Sequence, residues 1–408
     1  MSLRIVPPSG SPRKLAVAQL VNSLGDGAYI VCSTLYFARV VGLSPAQIGL
    51  GLTLAWAVGS VAGVPLGHLA DRRGPRSVAV LLALATSASV GSFLFVRSFT
   101  AFLLAAVCYA TAQCGLAAAR QALLAGLVRK EQRTQTLAYL QSTLNAGLAV
   151  GAAFGGVALH FGTRAAYLSV FAMDAAAFAL CALVLLRLPA VQGAPPAAEA
   201  GPRLAVLRDG PYAVVSLLNM VMLLRMPLIS LAIPLWIVER TAAPGWTVSV
   251  LLVLNTVAVM LFQVRTAAAV TDLTSATRTV RRGGAVMLAS CAVFALSAAA
   301  GAPAWAAATV LLTGAALQVA GEMMQSAGAW QISFDLAPAG RQGQYQGFFG
   351  SGVSVARMLG PLLLTTLIVG WGVVGWLLLG VLFLAAGLAM APAVRWAQRT
   401  DKAAAYAG

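Results

Sequence analysis

The chain has 408 residues, of which 60% are hydrophobic and only 9% charged, and its mean hydropathy is +0.86. That composition excludes a soluble domain, because apolar runs of about 20 residues, each long enough to cross a bilayer core, recur along the whole length. A net charge of +16 would point to nucleic acid in a soluble domain, but no basic cluster alternates with aromatics, and the charge follows the positive-inside rule instead.

Twelve membrane spans are expected, at about 14–38, 46–66, 77–97, 100–124, 135–159, 164–187, 212–238, 247–268, 283–301, 304–330, 344–369 and 372–393. Arg13-Lys14 precedes the first without a small-residue cleavage site, so it reads as a retained span rather than a signal peptide. Residues 1–187 form an N-terminal six-helix bundle and 212–394 a C-terminal one. Between them 188–211, with its LPAVQGAPPAAEAGPR stretch, is a cytoplasmic linker, and 395–408 is a cytoplasmic tail. With the N-terminus inside, the outer segments carry only Arg39, Arg97, Arg164 and Arg240, so both termini are expected in the cytoplasm. The fold class is therefore an all-α membrane protein of two pseudo-symmetric bundles. The five cysteines lie inside apolar runs with no CxxC pair and read as small buried hydrophobes. With only two scattered histidines, no metal and no cofactor are expected. No nucleophile–base pair or phosphate loop is visible, which argues against an enzyme.

The halves repeat. Asp71 and Asp272 follow spans two and eight at an offset of 272 − 71 = 201, each ahead of basic residues. Arg133 and Arg341 stand at 341 − 133 = 208, and Gly151 and Gly360 at 360 − 151 = 209. Near-constant offsets argue duplication into parallel six-helix repeats.

One stretch organises the chain: Gly67-His68-Leu69-Ala70-Asp71-Arg72-Arg73-Gly74-Pro75-Arg76, or G-x-L-A-D-R-x-G-x-R, with four charges in six positions. It resembles the signature loop between the second and third helices of the major facilitator superfamily. The resemblance implies twelve helices and alternating access. It makes Asp71 a gate latch to the start of span eleven, with Arg120 on span four as a partner, and Arg72 and Arg76 as the basic flank. Gly67 would allow close helix approach and Gly74 a tight turn. In span five, Gly147, Gly151 and Gly155 with Gly156 resemble the antiporter signature G-x-x-x-G-P-x-x-G-G of drug–proton exporters. Ala152 replaces the proline. The same stripe could equally serve plain helix packing. Thr111-Ala112-Gln113-Cys114-Gly115 keeps the glycine of a third exporter motif without its arginine. After span ten, Asp335-Leu336-Ala337-Pro338 and the run from Arg341 resemble a gating loop of bacterial drug exporters, and Gly360-Pro361 punctuates span eleven.

Charges deep in a bilayer cost ~3 kcal/mol or more and ask for a reason. Asp26, Asp174, Arg225, Glu322 and Arg357 lie deep. The resemblance places spans one, four, seven and ten around the substrate cavity. Asp26 and Glu322 are then the expected proton-coupling acids, with Arg225 or Arg357 as the partner of Glu322. Asp174, on a peripheral span, reads as a static ion pair that fixes helix register. Asn22, Tyr29, Trp56, Gln113, Asn145, Asn219, Asn255 and Gln318 would line the same cavity, or form interhelical hydrogen bonds. The expected protein is a monomer of the bacterial inner (cytoplasmic) membrane that binds a small-molecule substrate and protons within the lipid bilayer and exports amphiphilic compounds or drugs. The alternatives are an importer or facilitator of a polar or zwitterionic metabolite with the same fold, and a non-transporting membrane scaffold or sensor.

Overall fold

A computed structural model describes residues 7–193, 204–298 and 303–407, the side chains of 401–407 excepted. The end of the ninth expected span, the middle of the linker (194–203), which includes Arg203, and Arg4 lie outside the described residues, as does the side chain of Lys402. Among the described residues, twelve helices are long and apolar enough to cross a membrane. They are α1 (Ser11–Val41), α2 (Pro45–Arg73), α3 (Pro75–Phe95), α4 (Phe99–Leu127), α5 (Lys130–Phe161), α6 (Arg164–Leu186), α7 (Gly210–Arg240), α8 (Trp246–Ala268), α9 (Leu273–Leu296), α10 (Ala304–Asp335), α11 (Gln342–Gly370) and α12 (Val373–Thr400). No strand occurs among the described residues.

Local chemistry sets the helix ends. Ser44 caps α2 in a capping box with Gln47, and Ser98 and Thr163 accept hydrogen bonds from the amides of Ala101 and Ala166 to cap α4 and α6. Helix α2 runs through the signature stretch to Arg73, so that stretch is mostly helix, not loop. Gly74 then turns the chain at φ 93°, a conformation open to glycine, and Pro75 starts α3. Asp272 caps α9, which begins at Leu273, ten residues before the expected start of that span at 283, so Arg278, Arg281 and Arg282 lie on helix.

Two compact units form: Met1–Ala205 with Ala337–Ser354, and Val206–Leu336 with Val355–Gly408. In the first, α2 packs on α4, α3 on α4 and α6, and α1 on α5 and α6. In the second, α8 packs on α10, α9 on α10 and α12, and α7 on α12. Four of the first unit's five pairings recur in the second under a shift of six helices, the α1–α5 packing being the exception, which gives the sequence duplication a structural counterpart. Each unit has an aromatic core. In the first, Tyr36 and Phe171 lie 4.7 Å apart between ring centroids and Phe37 and Phe102 4.6 Å. In the second, Trp376 stacks on Phe294 at 4.9 Å and meets Trp236 edge-on. Of the cysteines, Cys32, Cys181 and Cys291 are buried as expected. Cys114 is only half-buried and Cys108 is exposed, because the face of α4 that carries Cys108 turns away from the packed interior.

Three spans are irregular. Helix α1 ends in a π-helical turn at Phe37–Val41, α7 carries one at Leu228–Ala232, and α11 one at Thr365–Gly370. In α7 the regular helix stops at Leu223, two residues form a turn, and Pro227 follows, so the backbone is interrupted at mid-span.

Candidate functional site

In the second unit, Arg225 sits in the α7 interruption and is 7% exposed. Its guanidinium Nη1 lies 2.7 Å from Glu322 Oε1 of α10. Its Nε donates to Gln325 Oε1 at 3.0 Å and its Nη2 to Ser326 Oγ at 2.9 Å. Gln325 Nε2 donates onward to Asn219 Oδ1 at 2.7 Å, and Asn255 Nδ2 of α8 donates to Glu322 Oε2 at 3.4 Å. Five polar residues from three helices are thus organised around one cation. A broken helix at mid-membrane with charged and amide groups at the break is how transporter folds build binding sites. Glu322 keeps 21% of its side chain exposed, so one end of this ion pair is open to a ligand or water. Gln318, one helical turn before Glu322, is buried with both amide atoms lacking a hydrogen-bond partner.

Sequence reasoning picked Arg225, Glu322, Asn219, Asn255 and Gln318, and the structure clusters the first four directly. Arg357, the other proposed partner of Glu322, is exposed on α11. Gln325 and Ser326 went unnoticed. With Gln318 and Glu322 they fall at i, i+4, i+7 and i+8, a one-face helical pattern that would have found them.

In the first unit, Asp26 of α1 is partly exposed and accepts from Asn22 Nδ2 at 2.6 Å. Tyr29, one turn on, lies 5.5 Å from the ring of Tyr109 on α4. Gln113 donates to the Tyr109 hydroxyl at 3.2 Å, and Trp56 of α2 meets that ring edge-on at 6.4 Å. Tyr109, which ties α1, α2 and α4 together, was missed, although Tyr29 and Trp56, which meet its ring, were picked. Asn145 does not join this group: its Nδ2 bonds to the Gln141 carbonyl of its own helix at 3.0 Å. The acid Asp174 of α6 is fully buried and neither carboxylate oxygen has a hydrogen-bond partner. The expected static ion pair is therefore overturned, because no cation of the neighbouring helices reaches it.

Among the proposed gating residues, Asp71 is 8% exposed and accepts from the backbone amides of Gly343 (2.6 Å) and Gln344 (2.9 Å) at the start of α11. Those amides have no partner within α11, so the carboxylate caps the positive helix end. A Cβ on Gly67 would strike the Gly343 carbonyl, so glycine is what lets α2 and α11 approach. Arg341 adds a positive charge within electrostatic reach of Asp71. Arg120 is not its partner, as its guanidinium donates to Gln19 Oε1 on α1 instead. The reason is helical phase, which turns Arg120 toward α1. Arg76 donates to the Leu188 carbonyl at 2.9 Å, and Arg72 is exposed at the end of α2. Gly193 packs so tightly on the Arg72 carbonyl that a Cβ there would clash, so the first part of the linker, Leu188 to Gly193, lies along the signature stretch.

Gly147, Gly151 and Gly155 face α1, where added Cβ atoms would meet Ser23, Leu24 and Ala28. The stripe is thus a packing seam. Gly360 presses on the Pro227 ring at the α7 break, with Pro361 beside it ahead of the π-helical turn. Asp335 ends α10 and accepts from Gln331 Nε2 at 2.8 Å. Asp272, the repeat counterpart of Asp71, acts otherwise: it is exposed and closes a capping box on its own helix with Ser275. The Ser275 amide holds its carboxyl below the usual aspartate value.

Among the described residues no group of three or more His, Cys, Asp or Glu could hold a metal. An apolar groove lined by Ala292, Leu296, Val373, Leu377 and neighbours contains none of the polar clusters.

The family model described as Major Facilitator Superfamily matches residues 15–361. No curated protein matches the sequence. Among solved structures, the chain is similar to the human organic anion transporter TETRAN, with TM-score 0.72 and 16% identity, covering 94% of this chain and 100% of that one. It is similar to a bacterial homologue of the iron transporter ferroportin in an outward-facing state, with TM-score 0.71 and 16% identity, covering 97% and 100%. The transporter FucP in its outward conformation gives TM-score 0.71 and 14% identity, covering 95% and 98%. At these identities the likeness is one of fold. With a family match across most of its length, twelve membrane-length helices and the paired six-helix packing, this chain belongs to the Major Facilitator Superfamily.

Proposed function

We propose that this protein is a proton-coupled secondary transporter that exports small amphiphilic compounds by alternating access, as a monomer of the inner membrane with both termini in the cytoplasm. The observation that carries the reading is the Arg225–Glu322 pair at the α7 interruption, held by Gln325, Ser326, Asn219 and Asn255. A charge pair within a membrane span is expensive unless it works. A proton delivered to Glu322 cancels the charge that Arg225 answers. The guanidinium is then left on two neutral acceptors, free to take an anionic group or to let α7 rearrange about Pro227. Ion-pair breaking and re-forming is a two-state element that a proton can bias. Asp26 is the second coupling acid, on the partly exposed face of α1. The Asp71 cap on α11 is the latch of one conformational state. The Lys/Arg asymmetry supports the orientation.

A second reading is favoured by the same guanidinium. A buried arginine with one open neighbour suits a carboxylate-bearing metabolite, and the structural neighbours include a protein described as an organic anion transporter and another described as a fucose:proton symporter. Import of an anionic or zwitterionic metabolite is the alternative.

Drug susceptibility in a bacterial host stripped of its own exporters separates these readings. Wild type, Asp26→Asn and Glu322→Gln are compared at matched expression over cationic dyes, neutral antibiotics and zwitterions. Resistance lost in Glu322→Gln supports coupled export. Uptake of a labelled anion without resistance favours the alternative.

A further inference from the structure

Asp174 is the one buried carboxyl to which the proposed mechanism assigns no task. It is 0% exposed, and both its oxygens lack a hydrogen-bond partner. It lies against the backbone of α1 at Gly25, where a Cβ would collide with its Oδ1. The next residue along is Asp26, whose charge acts on Asp174. A third acceptor is stranded beside them: Asn22 is nine-tenths buried, its Nδ2 is given to Asp26, and its Oδ1 has no donor. Three orphan acceptors thus adjoin one carboxylate.

Among the described residues no cation is paired with Asp174. On α4, Arg120 is turned to Gln19, and Tyr109 is hydrogen-bonded by Gln113. On α1, Tyr29 is held among the rings of Phe93, Tyr109 and Phe171. On α6 itself the nearest other ionisable side chains are Tyr167 and Cys181, each buried and two turns away. Helix α3 packs on α6 through Ser87, which donates to the Ala175 carbonyl at 2.7 Å, and its lone ionisable residue is Arg76 in its first turn. Helix α5 has Lys130, Glu131, Arg133 and Tyr139 in its first three turns and His160 at its far end.

An unpaired carboxylate and an acceptor surplus in a low-dielectric interior demand a donor or a positive charge. A divalent or alkali ion needs several oxygen ligands arranged around it. A proton needs none. We propose that Asp174 and Asp26 form a second proton-binding site that holds one proton between them, with Asp174 the buried acceptor and Asp26 the port to water. In the loaded state one carboxyl carries the proton as an O–H that donates to a neighbouring orphan acceptor. In the unloaded state the proton has left through Asp26 to water.

This inference rests on the proton-coupled reading, and its test needs no transport. Infrared difference spectra between acidic and alkaline pH are recorded on the full-length protein in lipid, with isotope-labelled aspartate to mark the bands. The wild type is expected to show a protonated aspartic acid band that titrates as a single proton. In Asp174→Asn the band is lost. Should that variant not fold, Asp26→Asn keeps Asp174 and is expected to move the band's midpoint by about one pH unit or more, since a like charge has gone. A band that survives in folded Asp174→Asn overturns the proposal, as does a midpoint unmoved in Asp26→Asn. A midpoint that follows sodium concentration at constant ionic strength also overturns it, in favour of a cation site. Transport indifferent to the proton gradient would defeat the functional reading, while the band would still decide this one.

Discussion

Replacing Asp71 by asparagine tests the latch at a resolution of two amides. The Asp71 carboxylate accepts from the Gly343 and Gln344 amides, and within α11 neither amide has another acceptor. A hydrogen bond to a charged group contributes about 1.5–3 kcal/mol, and a charge at a helix N-terminus adds about 0.3–1 kcal/mol. Asparagine keeps one carbonyl oxygen, so one of the two bonds survives in neutral form while the other amide faces an NH2 group. The expected loss is about 2–3 kcal/mol, or about 30- to 150-fold in the equilibrium between docked and undocked states at 1.36 kcal/mol per decade. Hydrogen exchange resolved to the segment from Arg341 to Phe348 reads this directly, since amide protection scales with local opening. Protection at Gly343 and Gln344 should fall by that factor, while amides in the middle of α9, whose helix carries neither partner of this contact, stay unchanged. Protection within about threefold of wild type at both amides would refute the capping argument, because the loss of even one charge-assisted bond exceeds that.

Other substitutions follow from the same geometry. Gly151→Val drives a Cβ into the Leu24 carbonyl of α1, and such overpacking costs about 1–3 kcal/mol or more. The yield of monodisperse protein on size-exclusion chromatography should drop, while Gly156→Ala, whose Cβ would meet nothing within 4 Å, should match wild type. Arg225→Gln leaves Glu322 as an uncompensated charge, and because Glu322 keeps one face open the loss should fall below the ~3–5 kcal/mol of a fully buried pair. The double substitution Arg225→Gln with Glu322→Gln should recover most of the thermal stability in detergent but not transport. Asp272 carries its folded-state proton less tightly than an unfolded aspartate. Its cap therefore contributes fully above the usual aspartate value and is lost as pH falls through the lower folded one. The amide of Ser275 should show faster exchange, relative to its intrinsic rate, only below about pH 4, and Asp272→Asn should flatten that dependence.

The apolar runs made the span count legible, since length and hydropathy are one-dimensional properties. The contact of Asp71 with the start of α11 was legible through the resemblance that the Gly67–Arg76 motif carries, and not through its charge pattern, which Asp272 shares. What the sequence could not convey is helical phase between distant segments. Arg120 lies at a depth consistent with Asp71, yet its rotation on α4 turns it to Gln19. Asp174 looked like half of an ion pair because buried charges normally have partners, and only packing reveals that its neighbour is another acid. Asp71 and Asp272 match by offset, but one is buried against a second helix and the other caps its own. The interruption of α7 was half-written in Pro227, whereas the π-helical turns in α1 and α11 had no visible signal.

The central claim is that proton movement through Glu322 drives transport. Everted membrane vesicles energised by respiration and loaded with a pH-quenched dye test it most directly. Candidate amphiphiles and organic anions are added to wild type and to Glu322→Gln at equal expression. The account predicts a substrate-dependent collapse of the proton gradient in wild type and none in Glu322→Gln. Undiminished gradient collapse in Glu322→Gln, or substrate movement in wild type that ignores the gradient, would contradict it.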